Sequence, residues 1–467
     1  MTPLGTAITL VLAMLVFSQS RVIAAVIIIV AVCYLTQGMP LNVVVFHFTA
    51  MRVILLAGIL RVVARGELTQ LRLNTLDRAI LAYMFAIPII SVLRNFTTEQ
   101  MIYQVGCLYD VLLAYFVFRS LLQGSRDYLD VLGKVSFLLI PLAFMVVSES
   151  VTGRNCFAAF GGVGEISWIR DEHVRIQAAF RCPITAGAFG ATFTLLFASI
   201  LFAKGRSLFA LVGLGCSLVI VLLARSSGPF MGLLVGLVAL FGFWPLRTRM
   251  RSVRWSIVAV LVLMQLIMRA PVWFLLGRIS EVVGGGGYHR AELIDQFINH
   301  FSTWWLVGMR DTSDWFPYQL ADGQADLTNR FVADGVTGGL LGLILSITLV
   351  VRSFQRIGLA MKSSRREGSS SEKAVWGLGA TMVGSIGILF SVDYFDQMQV
   401  IWYFLLACIA SLEIRKYPAR RPAPAREDQG TSQPAHLQVM SRERAVEFRA
   451  STAQNGTELV PVDRNLY

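Results

Sequence analysis

Long apolar runs alternate with short basic segments along almost the whole chain. Runs approaching ~20 residues are long enough to cross a bilayer as helices. They fall at Leu4–Phe17, Val22–Leu35, Val43–Val63, Leu76–Leu93, Met101–Leu122, Tyr128–Val147, Pro183–Ala203, Leu208–Leu223, Pro229–Trp244, Trp255–Leu276, Gly335–Val351, Val375–Phe390 and Phe395–Leu412. The pattern predicts an all-α polytopic membrane protein of about 12–13 transmembrane helices. Two polar stretches interrupt it, at about 148–182 and 277–334, and are expected to hold short helices. The first run lacks the basic segment that precedes a cleavable signal, and a second run follows at once, so it reads as the first helix.

Composition agrees with the pattern. Of 467 residues 55% are hydrophobic and 15% charged, with mean hydropathy +0.63, too little charge to cover a soluble domain of this length. The formal charge of +12 does not point to nucleic acid, because much of it sits in short turns between helices. Arg61, Arg65, Arg72 and Arg78 crowd one turn, Arg119, Arg126 and Lys134 another, and Lys204 and Arg206 a third. Arg247, Arg249, Arg251 and Arg254, then Arg352, Arg356, Lys362, Arg365, Arg366 and Lys373, continue the series. By the positive-inside rule these turns face the cytoplasm and both polar loops face outward. Residues 1–412 form the membrane domain, and 413–467, rich in Pro, Ala, Arg, Gln and Glu, read as a disordered cytoplasmic tail. The segment Ser363–Lys373 reads as a polar linker. Of six cysteines, Cys156 and Cys182 bracket the first loop, where a disulfide is one expectation; the other four fall in apolar runs as packing residues. No spacing resembles a zinc site, so neither metal nor cofactor is expected.

Four stretches carry chemistry. Arg175 and Arg181 lie just before Pro183, where guanidinium groups could hold an anionic headgroup or pair with Glu165, Asp171 or Glu172. Arg225 sits in the tight turn Ala224–Pro229, either reaching the headgroups or projecting between helices. Gly284–Gly287 reads as a hinge before Tyr288-His289-Arg290 and an amphipathic stretch, with Leu293, Ile294, Phe297, Ile298 and Phe301 on one face. Asp326, Asn329, Arg330 and Asp334 enter the next helix, downstream of Trp304, Trp305, Trp315, Phe316 and Tyr318, which read as an interfacial belt or as sugar-stacking rings. Asp110 and Arg52 lie inside apolar runs, where charges either pair or line a polar path for protons or ions.

At these stretches the chain resembles the O-antigen ligase/polymerase superfamily of bacterial envelope glycosyltransferases. Arg175 precedes Pro183 by eight residues, a spacing typical of the family, and Ala224-Arg225-Ser226 is similar to its next turn. Arg290 with Trp305-Leu-Val-Gly308 resembles the arginine and glycine-ended element of its large loop. Where many ligases carry His-Asn before a Gly-Leu-Leu-Gly helix start, this chain has Thr328-Asn329 before Gly339-Leu-Leu-Gly342. That departure looks closer to polymerases of O-antigen or exopolysaccharide repeats than to ligases. The motifs span about 170–350 and the topology the whole chain.

The resemblance implies an inner-membrane enzyme, independent of metal, that joins undecaprenyl-pyrophosphate-linked oligosaccharides at the outer face. Its partners would be that lipid-linked substrate, the bilayer and other polysaccharide-assembly proteins. It implies catalytic roles for Arg290 and for His289 or Asp326 as base. Arg175, Arg181, Arg225, Asn329 and Arg330 would bind substrate. Transport or flipping of an anionic lipid is the competing class. A transporter usually shows inverted repeats and a midplane site; no repeat is evident here and the arginines sit at the rim.

Overall fold

A computed structural model describes residues 2–38, 41–43, 46–201, 207–278, 287–316, 323–365 and 369–414. The tail, the glycines at 284–286, Tyr318, Lys204, Arg206 and Arg366 lie outside the described residues. The fold is all-α and polytopic, and every apolar run carries a helix. Seven helices are long and apolar enough to cross a membrane, and four apolar helices are shorter. The molecule is therefore membrane-embedded.

The helices are α1 (Pro3–Ser18), α2 (Arg21–Tyr34), α3 (Ala50–Ala64), α4 (Thr75–Arg94), α5 (Thr98–Leu121), α6 (Ser125–Thr152), α7 (Pro183–Ile200), α8 (Ser207–Ala224), α9 (Ser227–Leu237), α10 (Met250–Ile267), α11 (Gly287–Asn299), α12 (Phe301–Trp304), α13 (Arg330–Ser364), α14 (Ser369–Leu389) and α15 (Asp396–Ala410). Their bounds correct several expectations. Leu41–Val43 pairs antiparallel with Phe46–Phe48, so α3 starts only at Ala50, where Thr49 caps it by accepting from the Arg52 amide. α10 stops at Ile267, ahead of Pro271, rather than running to Leu276. Ser363 and Ser364 belong to α13 and Ser369–Lys373 to α14, so most of the expected linker is helix.

Helix α7 is the centre of the bundle and is buried on nearly all sides. Its glycines allow that. A Cβ on Gly190 would lie 2.8 Å from the Ser217 carbonyl, so α8 can pack backbone to backbone against α7. Helix α10 is the opposite case and buries none of its residues.

Several arginines of the basic turns fasten helix ends. Arg61 is buried against Glu67, and Arg119 reaches Asp77 at 3.0 Å. Arg247 and Arg365 share Glu372 at 3.1 and 2.9 Å.

Both loops are built structures. Glu149, buried at the end of α6, accepts from Ser167 Oγ (3.1 Å) and from the amides of Gln177 (3.0 Å) and Ala178 (2.9 Å). That carboxylate pins the first loop, whose hairpin pairs Trp168–Arg170 with His173–Arg175 through a turn with positive φ at Asp171 and Glu172. The second loop has its own core of Leu293, Phe297, Trp304, Trp315, Phe316, Val332 and Val336. Trp304 stacks on Phe297 with ring centroids 3.9 Å apart and donates to the Phe297 carbonyl at 2.6 Å. Trp304, Trp315 and Phe316 are therefore core residues rather than an interfacial belt, while Trp305 stays exposed. On α11 the apolar face is narrower than its spacing suggests: Leu293 and Phe297 are buried, Ile298 and Phe301 exposed.

Candidate functional site

The hairpin of the first loop delivers arginines to the end of α8. Arg175 Nε donates to the Ala224 carbonyl at 3.3 Å, and the Ile176 amide donates to Leu223 O at 3.3 Å. Beside this joint is a cavity of about 380 Å³ lined by Arg170, Asp171, His173, Arg175, Arg225 and Ser226. Arg225 occupies the left-handed region at φ 45°, a conformation non-glycine residues enter rarely and mostly where function or packing enforces it.

Arg290 approaches from α11. A Cβ built on Gly228, two residues past Ser226, would lie 3.3 Å from its Nη2, so glycine there leaves room for the guanidinium. Burial, and after it the like charge of Arg170, lower the Arg290 guanidinium from its ordinary range, and the same two causes act on Arg175. An arginine stays protonated under such a shift. What the shift records is first the burial of these guanidinium groups and second their nearness to Arg170. Among the described residues no carboxylate forms an ion pair with Arg175, Arg225 or Arg290, and Arg170 meets only exposed Asp171 at 3.6 Å. Such a cluster can accept a multiply charged anion through bidentate contacts. Arg170 is the member that sequence reasoning passed over; only the hairpin places it beside Arg175.

The remaining predicted residues divide. His289 lies with a ring nitrogen 3.4 Å from the backbone carbonyl of Asp326 and its ring 4.7 Å from that of Phe316. The two proposed bases thus meet, although Asp326 contributes its carbonyl and holds its carboxylate exposed.

Arg181 does not join the cluster. It pairs with Asp396 at 3.6 Å beside a different cavity. Asn329 is buried and caps α13, its Oδ1 accepting from the amides of Phe331 (2.9 Å) and Val332 (3.4 Å). Arg330 is held by Asp393 at 2.7 Å, Asp334 at 3.0 Å and the Tyr83 hydroxyl. The structure gives Asn329 and Arg330 the work of starting α13, with their groups taken up internally. Cys156 and Cys182 are both free thiols, and no disulfide joins them. Cys182 lies 3.5 Å from the Thr185 hydroxyl instead.

The family-like glycines also have a structural explanation. Helix α13 is broken at Gly339, with φ 63° and ψ −163°. Into the break docks the turn at Trp305–Met309: the Leu340 amide donates to Trp305 O and the Met309 amide to Val336 O, each at 2.8 Å. Arg94 donates to Met309 O and Val336 O at 2.9 Å, satisfying carbonyls that the break exposes. The intramembrane charges are paired as well, Arg52 gripping Asp110 by two bonds of 2.7 and 2.6 Å.

Among the described residues no three His, Cys, Asp or Glu side chains gather as a metal ion would require. No family model matches the chain, and no curated protein matches it either. Fold and site therefore define a class only: a polytopic all-α membrane protein carrying an arginine-lined cavity beside its loops.

Proposed function

We propose that this protein is a membrane glycosyltransferase that joins undecaprenyl-pyrophosphate-linked oligosaccharide repeats into O-antigen or exopolysaccharide at the outer face of the bacterial inner membrane. The observation that carries the reading is the cavity where Arg170, Arg175 and Arg225 gather, with Arg290 alongside and, among the described residues, only exposed Asp171 paired with any of them. A pyrophosphate fits that charge. In the transfer, a hydroxyl oxygen of one repeat bonds to the anomeric carbon of another. The bond from that carbon to pyrophosphate oxygen breaks, and its electron pair leaves on the pyrophosphate. Fixed cations around the developing charge lower the barrier. The hydroxyl proton passes to a base, for which His289 is favoured over Asp326 because a ring nitrogen is held at the Asp326 carbonyl and imidazole is the side chain most often used as a general base.

The experiment is gene deletion followed by analysis of lipid-linked glycans. Single repeats accumulating on lipid at the outer leaflet is the expected result. Long chains left undelivered would show a ligase instead, and precursor retained on the cytoplasmic leaflet would show a flippase.

A further inference from the structure

A second cavity, of about 490 Å³, opens between the segment after α2, the starts of α3 and α15, Asp110 of α5 and the first loop. That volume lies within the roughly 300–1,000 Å³ range of small-molecule sites. Its lining includes Arg52, Asp110, Arg181, Asp396, Gln37 and Gln399. We propose that this cavity is a saccharide-binding site that holds the acceptor glycan; which saccharide it holds rests on the glycan-transfer reading above.

Three features carry the assignment. The first is charge. Two arginines face two aspartates here, whereas the other cavity sets three arginines against Asp171 alone. A neutral, polar lining suits hydroxyl groups better than phosphate. Carboxylates gripped by arginine keep lone pairs for hydroxyl donors, and the Gln399 amide, which has no hydrogen-bond partner among the described residues, offers both a donor and an acceptor.

The second is backbone conformation. Asp396, the first residue of α15, holds φ 47°, one of five non-glycine residues among those described with positive φ. The other cavity has Arg225 and Asp171 in the same region. Strain of this kind persists where surrounding structure enforces it, commonly at ligand sites.

The third is connection. The first loop lines both cavities, through Arg170 and Arg175 on one side and Gly162 and Arg181 on the other. Between Arg175 and Arg181 the segment Ile176–Phe180 is buried, and Gln397 of α15 donates to the Ala179 carbonyl at 2.8 Å. One rigid segment therefore positions an anion site and a hydroxyl site relative to each other, as a two-substrate transfer requires.

The test uses the full chain in lipid nanodiscs with two probes: inorganic pyrophosphate, and the repeat-unit oligosaccharide released by mild acid from the lipid-linked pool of the producing cell. Asp396→Asn and Gln399→Leu should each weaken oligosaccharide binding at least tenfold and leave pyrophosphate binding unchanged, while Arg175→Ala should do the reverse. Gln399→Leu removes no hydrogen bond among the described residues, so it reports even where Asp396→Asn disturbs α15. Oligosaccharide that binds both variants as it binds the parent, or that does not bind the parent, overturns the proposal. Loss of pyrophosphate binding by the parent alone would overturn the arginine reading and leave the saccharide site standing.

Discussion

Arg330 Nη1 donates to Asp393 Oδ1 at 2.7 Å, joining the first residue of α13 to the segment between α14 and α15. The same guanidinium reaches buried Asp334 one helical turn on, and Tyr83 of α4 donates to that carboxylate at 2.8 Å. A sequence motif that resembles a substrate-binding element thus serves as the joint between three parts of the bundle. Removing one member of a buried ion pair leaves the other uncompensated, at about 3–5 kcal/mol. Arg330→Ala should therefore lower the unfolding temperature in detergent sharply. Arg175→Ala should leave it near the parent value. Equal melting of the two variants would show that Arg330 is not a structural residue.

The arginine cavity predicts a different pattern. Hydrogen bonds to charged groups contribute about 1.5–3 kcal/mol each, or roughly ten- to a hundredfold in affinity. Arg175→Ala, Arg225→Ala and Arg290→Ala should each reduce polymer formation by about that factor without loss of folded protein. Lysine at position 175 should restore only part, since an ammonium lacks the planar fork of guanidinium. Polymer length on gels, normalised to protein level, provides the measurement.

Gly339 and Gly308 form a second mechanical joint. A Cβ on Gly339 would lie 2.6 Å from Leu306 O, and one on Gly308 2.2 Å from Val336 O, both at positive φ. Left-handed backbone alone costs an L-residue roughly 1–2 kcal/mol, and the clash adds to it. Gly339→Ala should undock the 305–309 turn and open the second loop to limited proteolysis, with Arg94→Ala producing the same nicking. A cleavage pattern identical to the parent's would refute the joint.

The free thiols give a direct check on the first loop. Intact mass should be the same with and without reductant, and the variant Cys156→Ser should match the parent in stability. Partial burial, and after it the Glu149 carboxylate, raise the Cys156 thiol above its ordinary range. Less thiolate is present at any pH below that raised value. Maleimide labelling of Cys156 should accordingly be slower at pH 7 than that of an unperturbed exposed thiol, and should accelerate as pH rises.

Apolar length and spacing determined the membrane class and the position of nearly every helix, because a bilayer-spanning helix needs only ~20 apolar residues in a row. The same local signals located Arg175, Arg225 and Arg290 near helix ends, at places where loops meet the bundle. They could not say which arginines face a cavity and which face a carboxylate. Arg181 and Arg330 match the others in residue type and setting, yet Asp396 and the Asp334–Asp393 pair hold them elsewhere. Nor could spacing reveal that Trp304 and Trp315 build a core, since an indole suits an interface and an interior equally well. Pairing depends on residues far apart along the chain, as Arg52 and Asp110 or Tyr83 and Asp334 are. Sequence set the elements; only their packing decided which polar groups neutralise one another and which remain turned toward a ligand.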